Sequence, residues 1–191
     1  SNCLESEAQT SIRACVSIDR GRHPLIDKQK VVPVSLSLGK DYRFLLISGP
    51  NTGGKTVTLK MVGLFCLMAM CGLFVPAKRA EVSVFGEIYC DVGDAQSIEE
   101  SLSTFSSHVT NIVEIVDRAD SKSLVLVDEL GGGTDPDEGQ ALAKAVVSYL
   151  LKTGCTGVVT THYSALKEFA FSTDGIENAC MEFDSDTLRP L

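Results

Sequence analysis

The sequence predicts an α/β fold with a mostly parallel central sheet, helices on both faces of that sheet and a smaller antiparallel β unit. Short, mostly apolar runs at residues 43–48, 123–127 and 157–161 are typical of strands buried on both faces of a parallel sheet. Helical patterns separate these runs, and strands that alternate with helices indicate parallel pairing. A chain of 191 residues with 44% hydrophobic and 22% charged residues suits one globular domain.

Two segments near the start of the chain alternate apolar with polar residues, which is the pattern of a half-buried strand. The apolar positions are Ile12, Ala14, Val16 and Ile18 in the first segment and Val34, Leu36 and Leu38 in the second. Two further stretches, around residues 82–84 and 88–90, are expected to pair with each other in antiparallel fashion. These short strands predict the antiparallel unit beside the main sheet.

A long apolar helix is predicted from about Lys55 to Cys71. Residues 61–77 carry no charge, but Gly63, Gly72 and Pro76 interrupt or end the run before it is long enough to cross a bilayer. We therefore expect a central helix that is buried on most faces, and no membrane partner.

Two amphipathic helices are predicted further along the chain. Apolar residues of the first fall on one face at spacings of four, three, four and three, at Phe105, Val109, Ile112, Val116 and Ala119. The second is indicated by Leu142, Ala145, Val146 and Tyr149. Thr134 and Asp137 lie three residues apart before it, and they are expected to form its capping box.

A glycine-rich segment between a predicted strand and the predicted apolar helix carries the strongest chemical indication. Residues 49–56, GPNTGGKT, fit the pattern G-x-x-x-x-G-K-S/T in the strand–loop–helix context that this motif requires. Glycines let backbone N–H groups turn toward phosphate oxygens, and the helix start adds the positive end of its dipole. Lys55 would reach the β- and γ-phosphates of ATP, and the Thr56 hydroxyl would bind Mg²⁺. The expected nucleotide-binding residues are Gly49, Pro50, Asn51, Thr52, Gly53, Gly54, Lys55, Thr56 and Val57.

Two adjacent carboxylates, Asp128 and Glu129, follow the apolar run at residues 123–127. An aspartate at the end of such a strand can hold Mg²⁺, which makes Asp128 a candidate metal ligand together with Thr56. Glu129 is then placed to orient and polarise an attacking water. The alternative is a pair of solvated carboxylates that only end the strand.

A histidine and two hydroxyl residues complete the set of candidates. His162 follows the strand predicted at residues 157–161, whose end is expected at the same edge of the sheet, where ligands bind. It is a candidate catalytic residue beside Lys55 and Glu129, although a lone histidine is often structural. Ser103 and Thr104 begin the first amphipathic helix, either as its N-cap or as an anion site for another molecule's phosphate.

Charge and cysteine content restrict the partners and the compartment. A net charge of −8 argues against this chain as a main surface for gripping nucleic acid. The seven cysteines show neither paired spacing nor a zinc pattern, so free thiols in a cytoplasmic protein are expected. Cys66 and Cys71 are expected to be buried within the apolar helix.

The order of these motifs resembles the ATPase domain of the MutS family. The matching segments are GPNTGGKT at residues 49–56, STF at 103–105, LVDELGGGTDP at 126–136 and TTHY at 160–163, and GRHP at 21–24 also matches. The resemblance implies a P-loop NTPase fold of the ABC-ATPase-like type. It covers residues 12–191, which are expected to form a single ATPase domain of a longer protein. Residues 1–11 are expected to be a tag scar or a disordered lead-in.

The resemblance also implies roles for individual residues. His162 would sense the γ-phosphate, and Asp128 with Glu129 would be the Mg²⁺ and water-activating pair. Two subunits of the family sandwich the nucleotides as a homodimer, in which Ser103 and Thr104 would act in trans on the partner's nucleotide. The loop at residues 131–135 would communicate across that dimer.

Details of the motifs resemble the type-2 branch of the family, which lacks the mismatch-reading domain. The loop has Thr52 and Thr56, and residues 131–135 are GGGTD, where the mismatch-repair branch typically has NMGGKS and GRGTS. Members of the type-2 branch are associated with suppression of homologous recombination on branched DNA or with rescue of stalled ribosomes, and many carry a nuclease domain. Branched or mismatched DNA would be bound by domains outside this chain. The alternatives are a mismatch-repair MutS ATPase domain, an ABC-transporter ATPase subunit and a catalytically silent nucleotide-binding module.

Overall fold

The computed structural model describes residues 14–50, 53–93, 101–181, 183–184 and 189–190. Within the helix that begins at Ser101, side chains are described from residue 106 onward. The strands are β1 (Val16–Gly21), β2 (Val34–Leu38), β3 (Phe44–Ser48), β4 (Arg79–Val82), β5 (Glu87–Asp91), β6 (Ser123–Val127), β7 (Thr156–Thr161), β8 (Ile176–Cys180), β9 (Phe183–Asp184) and β10 (Arg189–Pro190). The helices are α1 (Lys55–Met70), α2 (Ser101–Arg118), α3 (Pro136–Thr153) and α4 (Ser164–Phe171).

The central sheet is five-stranded, in the order β5-β6-β7-β3-β8, and each neighbouring pair is parallel. Ser48 at the end of β3 is level with Thr161 on β7 and with Cys180 on β8. Val127 at the end of β6 is level with Val159. The residues that follow β3, β6 and β7 therefore emerge at one edge of the sheet.

Helices cover both faces of this sheet, as the sequence predicts. Phe44 and Leu46 of β3 belong to a buried cluster that also contains residues of α2, α3 and α4. Leu45 and Ile47 point into a second cluster, which is formed with α1 and with the antiparallel sheet. All five residues of β3 are buried, which explains why the strand is apolar without alternation.

The antiparallel unit is three-stranded, in the order β2-β1-β4, but the predicted pairing of residues 82–84 with 88–90 is wrong. β4 pairs with β1, with Val82 opposite Val16, and β5 pairs in parallel with β6. The buried Phe85 lies between β4 and β5, and the N–H of Gly86 donates to the carbonyl of Lys122 at 2.9 Å, just before β6. These contacts direct the chain out of one sheet and into the other, so no hairpin forms.

Helix α1 has the predicted start and end, but its burial is not uniform. Its first three turns are largely buried, whereas Leu67 is 50% exposed near its end. Cys66 is buried as expected, but Cys71 is exposed, because it caps the helix beyond the buried turns. Among the described residues, no helix is long and apolar enough to cross a membrane.

Two details of α2 differ from prediction. α2 begins at Ser101, so Ser103 and Thr104 lie in its first turn and not at an N-cap. Residues Ile112, Ile115 and Ala119 form its buried face, and the sequence pattern had omitted Ile115.

The N-cap of α3 is Asp135, whose carboxylate accepts from the N–H groups of Asp137 and Glu138, so the expected capping box between Thr134 and Asp137 is wrong. The buried stripe of α3 shares only Val146 with the predicted one. Leu142 is 37% exposed and Tyr149 is 50% exposed. The buried residues are Gly139, Ala143, Val146, Val147 and Leu150. Two adjacent stripes of this helix are apolar, and spacing alone does not distinguish them.

Candidate active site

The glycine-rich loop runs from the end of β3 into α1, as predicted. Gly49 (φ 133°) and Gly54 (φ 84°) have backbone conformations that side chains other than glycine rarely adopt. Gly54 is the N-cap of α1, and its carbonyl accepts the helical bond from the N–H of Thr58 at 2.9 Å. The N–H of Gly53 donates to the carbonyl of Pro50 at 3.0 Å. Asn51 and Thr52 lie outside the described residues, and Val57, on α1, is 39% exposed.

Lys55 is buried at the start of α1, with 1% of its surface exposed. Its Nζ donates to the carbonyl of Gly49 at 2.5 Å, so the side chain folds back over the loop. Burial lowers the pKa of this ammonium group, and the charges of Glu129 and Asp128 oppose the shift. The Lys55 ammonium group therefore lies at the loop, close enough to Asp128 and Glu129 for their charges to affect its pKa.

Thr56 and Asp128 join the loop to the acidic strand end. The Thr56 hydroxyl donates to Oδ2 of Asp128 at 2.7 Å, although 72 residues separate the two in the chain. Asp128 is only 4% exposed. A hydroxyl and a carboxylate are hard oxygen donors of the kind that Mg²⁺ takes from protein side chains. The oxygen donors of Thr56 and Asp128 therefore fit the kind of metal that the sequence predicts.

Glu129 has a left-handed backbone, with φ of 50°, although it is not glycine. Non-glycine residues in this region are uncommon and are worth explaining by their contacts. Its N–H donates to Oγ1 of Thr160 at 2.8 Å, and the N–H of Leu130 donates to the carbonyl of Thr160 at 3.1 Å. The same Thr160 hydroxyl donates to Oδ1 of Asp128. The sequence analysis placed Thr160 in the TTHY segment but gave it no role, because it is one of two adjacent threonines at the end of β7.

His162 lies where the sequence predicts it, directly after β7 and at the same edge of the sheet as the loop. It is exposed, and its ring packs on that of Tyr163 with centroids 4.1 Å apart. Within the described residues, no hydrogen bond joins the His162 ring to the glycine-rich loop. Ser103 and Thr104 lie on the first turn of α2, and their side chains are outside the described part of the chain.

Asp91, at the end of β5, is a further buried carboxylate of this edge that the sequence reasoning missed. It is 3% exposed, and its oxygens contact His108 Nδ1 at 2.7 Å and Asn111 Nδ2 at 3.0 Å. Its carbonyl accepts from the N–H of Asp128 at 2.9 Å. Asp91 thus anchors α2 to the strand end beside Asp128. The rule that placed Asp128 at a strand end applies equally to Asp91.

Tyr163 connects the His162 segment to the loop at residues 131–135. Its hydroxyl donates to the carbonyl of Gly131 at 3.0 Å, and burial raises the pKa of this hydroxyl, which keeps it a donor. Gly139 of α3 packs so closely on Gly131 that a Cβ at Gly139 would lie 2.2 Å from the Gly131 carbonyl oxygen. The loop is therefore fixed from two sides.

Comparison with known proteins identifies a family that this chain matches. Residues 45–189 match the family description MutS domain V. The chain is 54% identical over 186 residues to a protein named endonuclease MutS2 from Caldanaerobacter subterraneus subsp. tengcongensis, covering 97% of this chain and 24% of that protein. Proteins of the same name from Clostridium botulinum strain Okra and from Lachnoclostridium phytofermentans are 60% identical over 176 residues and 56% identical over 190 residues. These alignments cover 92% and 99% of the chain, and 22% and 24% of the relatives. The chain thus spans about a quarter of the length of these relatives.

Replacing Tyr163 by Phe should destabilise the fold by about 1–3 kcal/mol, because the Gly131 carbonyl loses a buried hydrogen bond. The measurement is urea unfolding at equilibrium. Tyr149→Phe is the matched control, since Tyr149 is 50% exposed, and it should change stability by less than about 0.5 kcal/mol. Equal stability of the two variants would show that the Tyr163 hydroxyl does not secure the loop.

Proposed function

This chain belongs to the MutS family, and we propose that it binds ATP with Mg²⁺ and hydrolyses it, as the ATPase domain of a MutS2-like protein. One observation carries the proposal. The hydrogen bond of 2.7 Å between Thr56 and Asp128 brings a phosphate-binding motif and an acidic strand end into one site. The buried Lys55 beside them supplies the positive charge that a polyphosphate requires.

Each candidate residue has a separate part in this mechanism. Backbone N–H groups of the glycine-rich loop and of the start of α1 bind the phosphates, and Lys55 neutralises the β- and γ-phosphate oxygens. Thr56 and Asp128 would hold Mg²⁺, which would supply positive charge beside the bound phosphates. Glu129 accepts a hydrogen bond from the attacking water and orients it, and His162 contacts the γ-phosphate from the next strand end.

We further propose that the fold is a P-loop NTPase of the ABC-ATPase-like type, formed as one domain by residues 12–191. The sheet order supports this, because β7 with His162 lies between the strand of the phosphate loop and the acidic strand. All three strands then contribute to one ligand at their carboxyl ends, where α/β sheets bind nucleotides.

The nucleotide site is proposed to be completed by a second copy of the chain. Ser103 and Thr104, in the first turn of α2, would approach the γ-phosphate of the partner's ATP. A helix start with hydroxyl side chains favours an anion. Support comes from Asp91, whose contacts with His108 and Asn111 hold α2 in a fixed position beside the acidic strand end.

The function of the intact protein is a wider proposal. The relatives are named endonuclease MutS2 and are about four times as long as the aligned part. We propose that other parts of the protein bind branched or mismatched DNA, or a stalled ribosome, and that any nuclease activity resides there. The net charge of −8 supports contacts with nucleic acid outside this chain.

Glu129→Gln should bind Mg·ATP within a few-fold of the wild type but hydrolyse it about 10²- to 10⁴-fold more slowly, because the amide is a far weaker base for the water. The measurements are steady-state phosphate release and equilibrium binding of a fluorescent ATP analogue. Glu87→Gln is the matched control, since Glu87 is exposed at the amino end of β5, on the opposite edge of the sheet. Wild-type turnover by Glu129→Gln would exclude the assigned base.

The specific activity of the wild type should rise with protein concentration, because two weakly pairing copies complete each site. Ser103→Ala should reduce turnover at high concentration and leave ATP affinity at low concentration unchanged. Phosphate release would be measured over a wide concentration range, with sedimentation to detect a dimer. Constant specific activity from a chain that sediments as a monomer would contradict the composite site.

A further inference from the structure

We propose that Thr160 is a positioning residue that sets both candidate acids, Asp128 and Glu129, through a single hydroxyl group. This inference rests on the proposed ATPase function and adds to it a residue that contacts neither nucleotide nor water in the mechanism above. Thr160 would instead determine which carboxylate oxygen faces the metal position and where the backbone of Glu129 turns.

The Thr160 side chain is fully buried and makes two hydrogen bonds of opposite sense. Its hydroxyl donates its only proton to Oδ1 of Asp128, and it accepts the N–H of Glu129 at 2.8 Å. A hydroxyl has one proton to donate and two positions at which it can accept. The bond to Asp128 occupies that proton, and the Glu129 N–H occupies one of the acceptor positions. Valine has nearly the same shape but supplies neither bond.

The Asp128 carboxylate is fixed at both oxygens by two threonines, one in the first turn of α1 and one near the end of β7. Thr160 donates to Oδ1, and Thr56 donates to Oδ2 at 2.7 Å. With Oδ1 held from β7, the carboxylate keeps Oδ2 directed toward the phosphate-loop threonine. Partners of this kind that orient a metal ligand typically contribute 10- to 100-fold to metal affinity or activity.

The position of Glu129 depends on the same side chain because the pairing of β6 with β7 ends two residues before Glu129. Pairing of β6 with β7 reaches Val127 opposite Val159 and stops. Beyond that point the N–H of Glu129 bonds to the Thr160 side chain, and the N–H of Leu130 bonds to the Thr160 carbonyl at 3.1 Å. The hydroxyl thereby sustains the left-handed turn, with φ of 50°, that directs Glu129 out of the strand.

The test compares Thr160→Val with the wild type in Mg²⁺-dependent ATP hydrolysis and in ATP binding with EDTA. We expect turnover to fall by about 10- to 100-fold and the Mg²⁺ concentration for half-maximal activity to rise several-fold. ATP binding in EDTA should stay within about two-fold, because the phosphate loop is untouched. Thr160→Ser, which retains the hydroxyl, should restore turnover to within about three-fold of the wild type.

Thr156→Val is the matched control, since Thr156 is a buried threonine at the opposite end of β7. It should keep wild-type turnover and Mg²⁺ dependence even if its melting temperature changes. If Thr160→Val does not fold, Thr160→Ala against Thr160→Ser repeats the comparison of a side chain without and with the hydroxyl.

The outcomes separate this inference from the proposed function. A wild type that shows no Mg²⁺-dependent binding or hydrolysis of ATP overturns both. An active wild type with unchanged turnover and Mg²⁺ dependence in Thr160→Val overturns the role of Thr160 alone. Loss of activity in Thr160→Ser equal to that in Thr160→Val also overturns it, because the hydroxyl would then not be the group that matters.

Discussion

The Thr56 hydroxyl reaches Asp128 because two strands that are distant in the chain end at the same edge of one parallel sheet. β3 delivers the glycine-rich loop to that edge, β6 delivers the carboxylates, and β7 lies between them. The register that levels Ser48 with Thr161 and Val127 with Val159 fixes the relative heights of all three strand ends. A strand shifted along its neighbour would separate the hydroxyl from the carboxylate, so the candidate site depends on this pairing.

A set of hydrogen bonds extends from the glycine-rich segment to the backbone of Glu129, two residues before the loop at residues 131–135. Thr56 bonds to Asp128, Asp128 to Thr160, and Thr160 to the N–H of Glu129. Two residues after β7 ends, Tyr163 holds the carbonyl of Gly131. A ligand that displaces the Thr56 hydroxyl from Asp128 therefore acts on groups that are already linked to the loop for which a dimer role is proposed.

The parts of the site that the sequence predicts are those defined by short stretches of chain. The glycine-rich loop, the carboxylates at 128 and 129 and His162 are each recognisable within a few residues, and strand ends place them at one edge. Thr160 and the Asp91–His108 contact were missed because their roles arise only when separate elements pack together. The predicted pairing of residues 88–90 with residues 82–84 was wrong for a related reason. Local alternation of apolar and polar residues does not show which strand will be the neighbour. On α3, two apolar stripes lie side by side, and only the packed structure selects between them.

The central claim is that the phosphate loop and the acidic strand end form one Mg·ATP site, and a double-mutant cycle tests it most directly. ATP affinity would be measured with Mg²⁺ and with EDTA for the wild type, Thr56→Ala, Asp128→Asn and the double variant. If both side chains serve one metal, each single variant loses most of the Mg²⁺-dependent gain in affinity, and the double variant loses little more. Losses that simply add, or a wild-type affinity for ATP that Mg²⁺ does not change, would contradict a shared site.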